Sequence, residues 1–320
     1  MFYLEWEIRV VYNDIGVKGG LKRVLRGVRI CLLYFLEGKL WYFRRYLMAE
    51  NGRKPRIGIL EEMTMDEVRD FAPEVVVVPV GSTEPHGPHL PYGSDTIEAK
   101  AFAENGTMIA NSRGARALCY PVLPISLDVN FSGYQFALSL RVKTFMRVLR
   151  DICEQIECQG VRKIVIANLH GGNYSVVEAF LREWSHRGIA GTAGAEERSF
   201  VCAVYWPFPK AAEVLEHESD HGGELEVLAV MADRPELLRE DKLSEFKSQQ
   251  HILKFLDNPN VRWVKPWHLY VPEGAVGETR KVTPEKAEKF VRLNAEGLAE
   301  VLVELSETPW SGFFPYEKKG

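Results

Sequence analysis

The sequence predicts an α/β fold, a three-layer sandwich in which helices cover both faces of a mostly parallel central sheet. Three observations predict it. From Ile57 onward, short β-branched runs alternate with longer amphipathic segments, as when parallel strands are joined by helical crossovers. Val75–Val80, Lys163–Ala167 and Phe200–Trp206 are apolar enough throughout to be central strands buried on both faces. The chain's 320 residues, 46% hydrophobic and 26% charged, suffice for a large core.

The first fifty residues stand apart from this pattern. Lys and Arg outnumber Asp and Glu there, and Tyr34, Phe35, Trp41, Tyr42 and Phe43 crowd together. The longest apolar run, Ile30–Leu36, falls far short of the roughly 20 residues that span a bilayer. Acidic Glu5, Glu7 and Asp14 interrupt the start, and no small-residue cleavage site follows, so a signal peptide fits poorly. Amphipathic contact of residues 1–47 with a membrane is a weak third reading of the segment. Met48 opens a polar, linker-like stretch, Ala49–Arg56. The expected division is therefore an N-terminal extension at 1–50 and one catalytic domain at 51–320.

Within that domain, Arg141–Gln159 reads as a helix with Phe145, Val148, Leu149 and Ile152 on one face and Gly160 in the C-cap position. Tyr174–Arg187 is a second helix. A third, Pro284–Leu305, is entered through Thr283 as N-cap and Pro284 at the first helical position. Ser244–Val271 mixes two tryptophans and two prolines with polar residues and is expected to be irregular, a cover for the site.

Charge and cysteine usage narrow the function classes. A net charge of −4 lacks the concentrated basic footprint that nucleic acid requires, so nucleic acid is set aside as a partner in favour of a small-molecule substrate. Cys31, Cys119, Cys153, Cys158 and Cys202 form no CxxC pair and do not suggest a disulfide framework, which points to a reducing cytoplasm. Cys153 and Cys158 read as buried packing thiols.

Chemistry concentrates after the three strand runs. Directly after the first comes Gly81-Ser-Thr-Glu-Pro-His-Gly-Pro-His-Leu-Pro-Tyr-Gly-Ser-Asp95, holding Glu84, His86, His89 and Asp95. Ligands of open α/β sheets gather beyond the carboxyl ends of the strands, where this loop lies. Glu84 and His86 are two residues apart, so in an extended segment both side chains leave the same face. The second strand runs into Asn168-Leu-His-Gly-Gly-Asn173, and its glycines let backbone approach a ligand closely. The third is followed by Glu216-His-Glu-Ser-Asp-His-Gly-Gly-Glu-Leu-Glu226 and an apolar helix. Singly, each loop reads better as a polar turn; together they put imidazoles and carboxylates at one sheet edge, a donor mixture that suits Zn²⁺, Mn²⁺ or Fe²⁺.

In order and spacing these three loops resemble the creatininase family, and the resemblance extends through Gly274-Ala-Val-Gly277 with Glu285 and Lys286 to cover about Glu61–Leu305. It implies a creatininase-like fold and a metal-dependent hydrolase with two divalent metal ions. By resemblance, Asp95 bridges them, Glu84 and His170 hold one, and His86 with a further carboxylate holds the other. In creatininase proper that carboxylate lies two residues after the metal-binding histidine, where this chain has Gly172. Glu226 is its expected substitute, with Glu224 as rival. His221 matches the family's acid/base histidine, and support of a ligand is its alternative role. Water between such ions loses its proton near roughly pH 7 instead of 15.7. Homo-oligomers, often hexamers, are the family's usual assembly.

The match is weakest at the substrate. Where many members carry His-Phe-Pro-Gly-Thr, this chain has Asn130-Phe-Ser-Gly-Tyr134, so creatinine itself is not expected. Hydrolysis of a C–N bond in a cyclic or linear amide is the first reading. A keto-cyclitol or keto-sugar hydrolase, opening a ring at a C–C bond, is the second, because Tyr134 and the aromatic loop holding Trp263, Trp267 and His268 suit a polyhydroxylated ring. A noncatalytic metal-binding protein on the same fold is the third. Tyr134, Asn173 and Trp267 are the expected substrate contacts.

Overall fold

A computed structural model of the protein describes residues 55–187, 194–217 and 221–318. The expected N-terminal extension lies outside the described residues. In chain order the elements are α1 (Met65–Phe71), β1 (Val75–Val80), α2 (Ser94–Ser112), β2 (Ala117–Cys119), α3 (Val142–Cys158), β3 (Lys163–Asn168), α4 (Tyr174–His186) and β4 (Phe200–Tyr205), then α5 (Glu224–Asp233), β5 (Glu245–Phe246), β6 (Gly277–Glu278) and α6 (Pro284–Glu307). Single helical turns interrupt the connections at Pro209–Ala212 and Trp267–Tyr270.

The main sheet has the order β2-β1-β3-β4 with every pair parallel, so that Val76 lies between Leu118 and Ile164, and Ile164 in turn beside Val201. Successive strand side chains point to opposite faces, and the two cores follow that rule. Val75, Val77, Val165 and Ala167 pack with Phe102 of α2, Leu228 of α5 and Phe290 and Leu298 of α6. Val76, Val78, Ile164 and Ile166 pack on the other face with Phe145 and Leu149 of α3 and Val177 and Phe180 of α4. Each fully buried phenylalanine contributes about 1.5–3 kcal/mol relative to exposure, and Phe102, Phe145, Phe180 and Phe290 are all at 0% exposure. This is the three-layer α/β sandwich expected from the sequence.

Local signals hold where the chain had them. The Thr283 side chain accepts from the Lys286 amide and caps α6, and Gly160, just past α3, takes a φ of +87°, which a side chain would resist. Two expectations need correction. Phe200–Tyr205 is not a central strand: among the described residues β4 is an edge of the sheet, and all six of its residues are only half-buried. Cys153 is a buried packing thiol as expected, but Cys158 at the end of α3 is exposed. Ser244–Val271 is largely irregular, with only β5 and two short turns of helix.

One feature of the topology positions the chemistry. β1 has β2 on one side and β3 on the other, so the chain's direction of travel across the sheet reverses there. At such a reversal the loops leaving neighbouring strands diverge and open a crevice at their carboxyl ends. The loops after β1 and β3 are the two that carry Glu84, His86 and His170.

Candidate metal centre

Each ligand-bearing segment is held by its own backbone. The loop after β1 is fixed where Gly81 N–H donates to Leu123 O (2.9 Å) and Glu84 N–H to Tyr92 O (3.1 Å). The loop ends by opening α2, which places Asp95 in the first turn, where the helix dipole favours a carboxylate. After β3, Asn168 Nδ2 donates to His170 O (2.8 Å) and fixes the turn that presents the ring. Glu226 lies in the first turn of α5.

These side chains converge. The two carboxylate oxygens of Asp95 face different imidazoles: Oδ1 is 2.8 Å from His86 Nε2, and Oδ2 is 3.1 Å from His170 Nδ1. Glu84 Oε1 is 3.2 Å from His170 Nδ1 and 3.8 Å from His86 Nε2, while Glu226 Oε1 is 3.6 Å from His86 Nε2. Glu84, Asp95, His86 and His170 are almost fully buried. The donor atoms form three overlapping sets, Glu84–Asp95–His170, His86–Asp95–Glu226 and Glu84–His86–His221, each with all its atoms within 4.8 Å of one another.

The residues fit a pair of divalent cations. Glu84 Oε2, Asp95 Oδ2 and His86 Nε2 are buried and make no hydrogen bond, although His86 Nε2 and Asp95 Oδ1 lie within contact distance. Buried polar atoms are nearly always paired; donors that crowd together without hydrogen-bond geometry have their lone pairs aimed at a common point. The far nitrogens are engaged, His86 Nδ1 with Glu84 O (3.0 Å) and His170 Nε2 with Leu127 O (2.9 Å), as expected of metal-binding imidazoles oriented by carbonyls. Mixed nitrogen and carboxylate donors suit Zn²⁺, Mn²⁺ or Fe²⁺.

Electrostatics describe the same site without its ions. Burial disfavours the charged ring of His86 and of His170. Asp95 and Glu226 around the first, and Glu84 and Asp95 around the second, nonetheless raise both well above the ordinary imidazole value. Burial likewise opposes ionisation of Asp95 and Glu84, yet His86 and His170 hold the first, and His170 the second, below the usual carboxylate range. Protons on the rings thus take the place of cations in balancing the carboxylates.

The two rival glutamates separate cleanly. Glu224 accepts from the backbone N–H groups of Glu216 and His217 (2.9 Å each) and pairs with Lys286. Glu226 uses Oε2 to accept from Gly223 N–H (3.1 Å), which leaves Oε1 toward His86. Gly172 explains why the extra carboxylate comes from α5. A Cβ there would lie 2.4 Å from His170 Nε2 and 2.8 Å from Leu127 O, so no side chain fits without moving the ligand.

His221 is buried under an aromatic wall. Its ring centroid is 4.2 Å from that of His86, 4.6 Å from Phe131 and 5.0 Å from Trp267, which stacks on Phe131 at 4.8 Å. The end of the irregular segment therefore covers the centre. Two of the expected substrate contacts are also tied to backbone and loop partners. The Tyr134 hydroxyl donates to the carbonyls of Trp267 and Val271, tying down that cover. Asn173 is fully buried, with Oδ1 accepting from Leu127 N–H (3.1 Å) and Nδ2 donating to Asn168 Oδ1 (2.8 Å), so its amide braces two loops.

Two buried carboxyls escaped the sequence reading. Asp128 lies beside Glu84 and His170; burial, then the closeness of the Glu84 carboxylate, pushes it up to about 10. Glu98 lies one turn after Asp95 in α2, and burial together with the charge of Glu226 raises it well above the carboxylate range. The i,i+3 spacing from Asp95 was a usable signal for Glu98 once α2 is recognised; for Asp128, alone between apolar residues, the sequence holds none.

Comparison with known proteins agrees with this geometry. A mycofactocin precursor peptide peptidase of Mycobacterium ulcerans is 28% identical over 172 residues, 48% of this chain and 67% of that protein. A namesake from Mycobacterium tuberculosis matches over only half its length. The creatinine amidohydrolase of Pseudomonas putida is 25% identical, over 72% of this chain and 89% of that one. The 3-dehydro-scyllo-inosose hydrolase of Thermotoga maritima is 23% identical, over 80% and 86%. Among solved structures, a Bacteroides fragilis protein described as a creatinine amidohydrolase superimposes with a TM-score of 0.71 at 26% identity, covering 82% of this chain and all of that one. Creatininase structures of about 20% identity share the fold with TM-scores of 0.58 and 0.60; one is described as containing Mn and another as Zn-Zn type. The signature of the family described as creatinine amidohydrolase matches residues 61–302, so the chain that gathers these imidazoles and carboxylates at its sheet edge belongs to the creatininase family of metal-dependent hydrolases.

Proposed function

We propose that this chain hydrolyses a carbon–nitrogen bond of a cyclic or linear amide at a dinuclear centre in which Glu84, Asp95 and His170 hold one ion and His86, Asp95 and Glu226 the other. The observation that carries the reading is Asp95, whose two oxygens turn to two different imidazoles. When bound, divalent ions supply a water nucleophile at neutral pH and polarise the carbonyl that it attacks. The chain's own residues do the rest. Leu127 O and Glu84 O orient the rings, Asn173 braces Leu127 against Asn168, and Phe131 with Trp267 keeps bulk water from one side of the centre. The lack of space at Gly172 supports a subgroup that keeps the His-Gly-Gly-Asn loop and recruits its last carboxylate from α5. Zn, Mn or Fe are the proposed metals, and a homo-oligomer of cytoplasmic location the proposed setting.

A second reading, ring opening of a keto-cyclitol at a C–C bond, draws support from the Thermotoga maritima relative, which matches over 80% of this chain, and from the aromatic wall. Elemental mass spectrometry of wild type and Asp95→Ala tests the centre, with about two ions per chain expected in the former and a clear loss in the latter. Product analysis then separates the readings: a new carboxylate and a new amine, on one molecule from a cyclic amide or on two from a linear one, support the first, and an acyclic acid from keto-cyclitols without amide turnover replaces it with the second.

A further inference from the structure

We infer that His89, which stands outside the proposed ligand set, is the positioning residue that aims Glu226 at the centre, and that it acts by pinning the peptide between Gly222 and Gly223; the inference rests on the dinuclear reading above. His89 Nε2 is 2.8 Å from Gly222 O. A carbonyl can only accept, so the ring donates and the proton sits on Nε2. At the other end of the same peptide unit, Gly223 N–H donates to Glu226 Oε2 at 3.1 Å. The C=O and N–H of a planar trans peptide point in opposite directions, so a partner that fixes the carbonyl also fixes where the N–H is aimed. Glu226 Oε2 follows that N–H, and Oε1 is left 3.6 Å from His86 Nε2.

The peptide needs a pin because glycine stands on both sides of it. Gly222 has a φ of +64°, and neither residue carries a Cβ to oppose rotation of the plane between them. Turned over, the unit would present its carbonyl to the Glu226 carboxylate and repel it from its place beside His86. A side chain on Gly222 cannot supply the restraint, since its Cβ would come within 2.7 Å of Ala275 Cβ. His89 is well placed to supply it. It is fully buried, its ring stacks on Phe246 of β5 at 4.8 Å and 14°, and its carbonyl accepts from Arg239 N–H at 2.9 Å. β5 is held in turn by its pairing with β6, so this small sheet backs the ring that holds the peptide.

The effect is confined to one half of the centre. The line from Phe246 through His89 and the 222–223 peptide ends on Glu226, which belongs to the set with His86 and Asp95 and not to that of Glu84, Asp95 and His170. His89 Nδ1 is buried and makes no hydrogen bond, so Nε2 is the nitrogen through which the ring acts.

The test is a zinc titration with chelator competition on the full chain. It compares wild type with His89→Phe, which keeps a ring against Phe246 but cannot donate, and with His89→Gln, whose amide nitrogen can stand where Nε2 stands. Expected is a weakening of one of the two ions by about 10–100-fold in His89→Phe, with the other ion retained and most of the loss recovered in His89→Gln. Equal affinities in wild type and His89→Phe, an equal weakening of both ions, or a loss as deep in His89→Gln as in His89→Phe overturns the inference while the dinuclear centre stands. A ¹⁵N-histidine spectrum of the zinc-loaded wild type needs no variant to fold: the inference requires a proton on His89 Nε2, and a proton on Nδ1 alone or zinc on either nitrogen overturns it. A wild type that takes up fewer than two zinc ions overturns the dinuclear reading and the inference with it.

Discussion

Asp95 is the residue on which both ions depend, because Oδ1 and Oδ2 each meet a different imidazole. Asp95→Asn keeps its shape but replaces one anionic oxygen by a donor, so metal content should fall from two ions toward one or none and turnover by at least ~10³-fold, since substrate binding alone remains. Acidity gives a second prediction. His86 and His170 hold protons in the metal-free protein because their pKa values are raised, yet a ligand nitrogen must be bare. Metal uptake at pH 7 should therefore release protons and strengthen as pH rises, measurable by calorimetry in buffers of differing ionisation enthalpy; uptake without proton release would contradict it. Gly172→Ala should displace His170, costing about 1–3 kcal/mol of stability and weakening metal binding, read by thermal melts and titration. At this scale the sequence was most legible where a histidine or carboxylate followed a strand. That Tyr134 and Asn173 also brace the backbone was not legible, because nothing in the spacing of a polar side chain in a site loop tells which way it turns.

Among the elements, α5 shows how a helix is aimed. Glu224 and Glu226 are two apart and leave the helix in different directions. One is anchored by Lys286 of α6, and this anchoring sends the other to His86. Lys286→Met leaves Glu224, 1% exposed, as a buried carboxylate without its cation, held only by the N–H groups of Glu216 and His217. The expected cost is about 3–5 kcal/mol, and the double variant Lys286→Met with Glu224→Gln should recover much of it; equal stability of the single variant and wild type would rule the anchor out. The sequence announced α3, α4 and α6 by their apolar stripes and caps, but not α2. That helix lies between the sheet and α6, and it buries Glu98, Glu104 and Thr107 along with its apolar residues, so no polar face marks its period. At Gly106, a Cβ would come within 2.7 Å of Leu298 Cδ2, so a residue that reads as a helix breaker is the point where the two helices approach closely.

For the molecule as a whole, the ions are part of its stability. A ligand present at a hundred times its dissociation constant adds about 2.7 kcal/mol to the folded state, so chelation should lower the melting temperature by about 5–10 °C per ion in a domain of this size. An unchanged melting curve after complete metal removal would show that the sandwich is closed without them. The layers were legible because buried parallel strands must be apolar throughout; the edge position of β4 was not, since a half-covered strand can be as apolar as a central one. The reversal of strand order at β1 also sets a calendar for biosynthesis. Glu84, Asp95 and His170 are all translated once β3 has emerged and can pair with β1, whereas the set of His86, Asp95 and Glu226 must wait for Glu226, after β4. A chain still on the ribosome can thus gather Glu84, Asp95 and His170 before the donors around His86 are complete, so the second half of the centre closes only when the last loop has arrived.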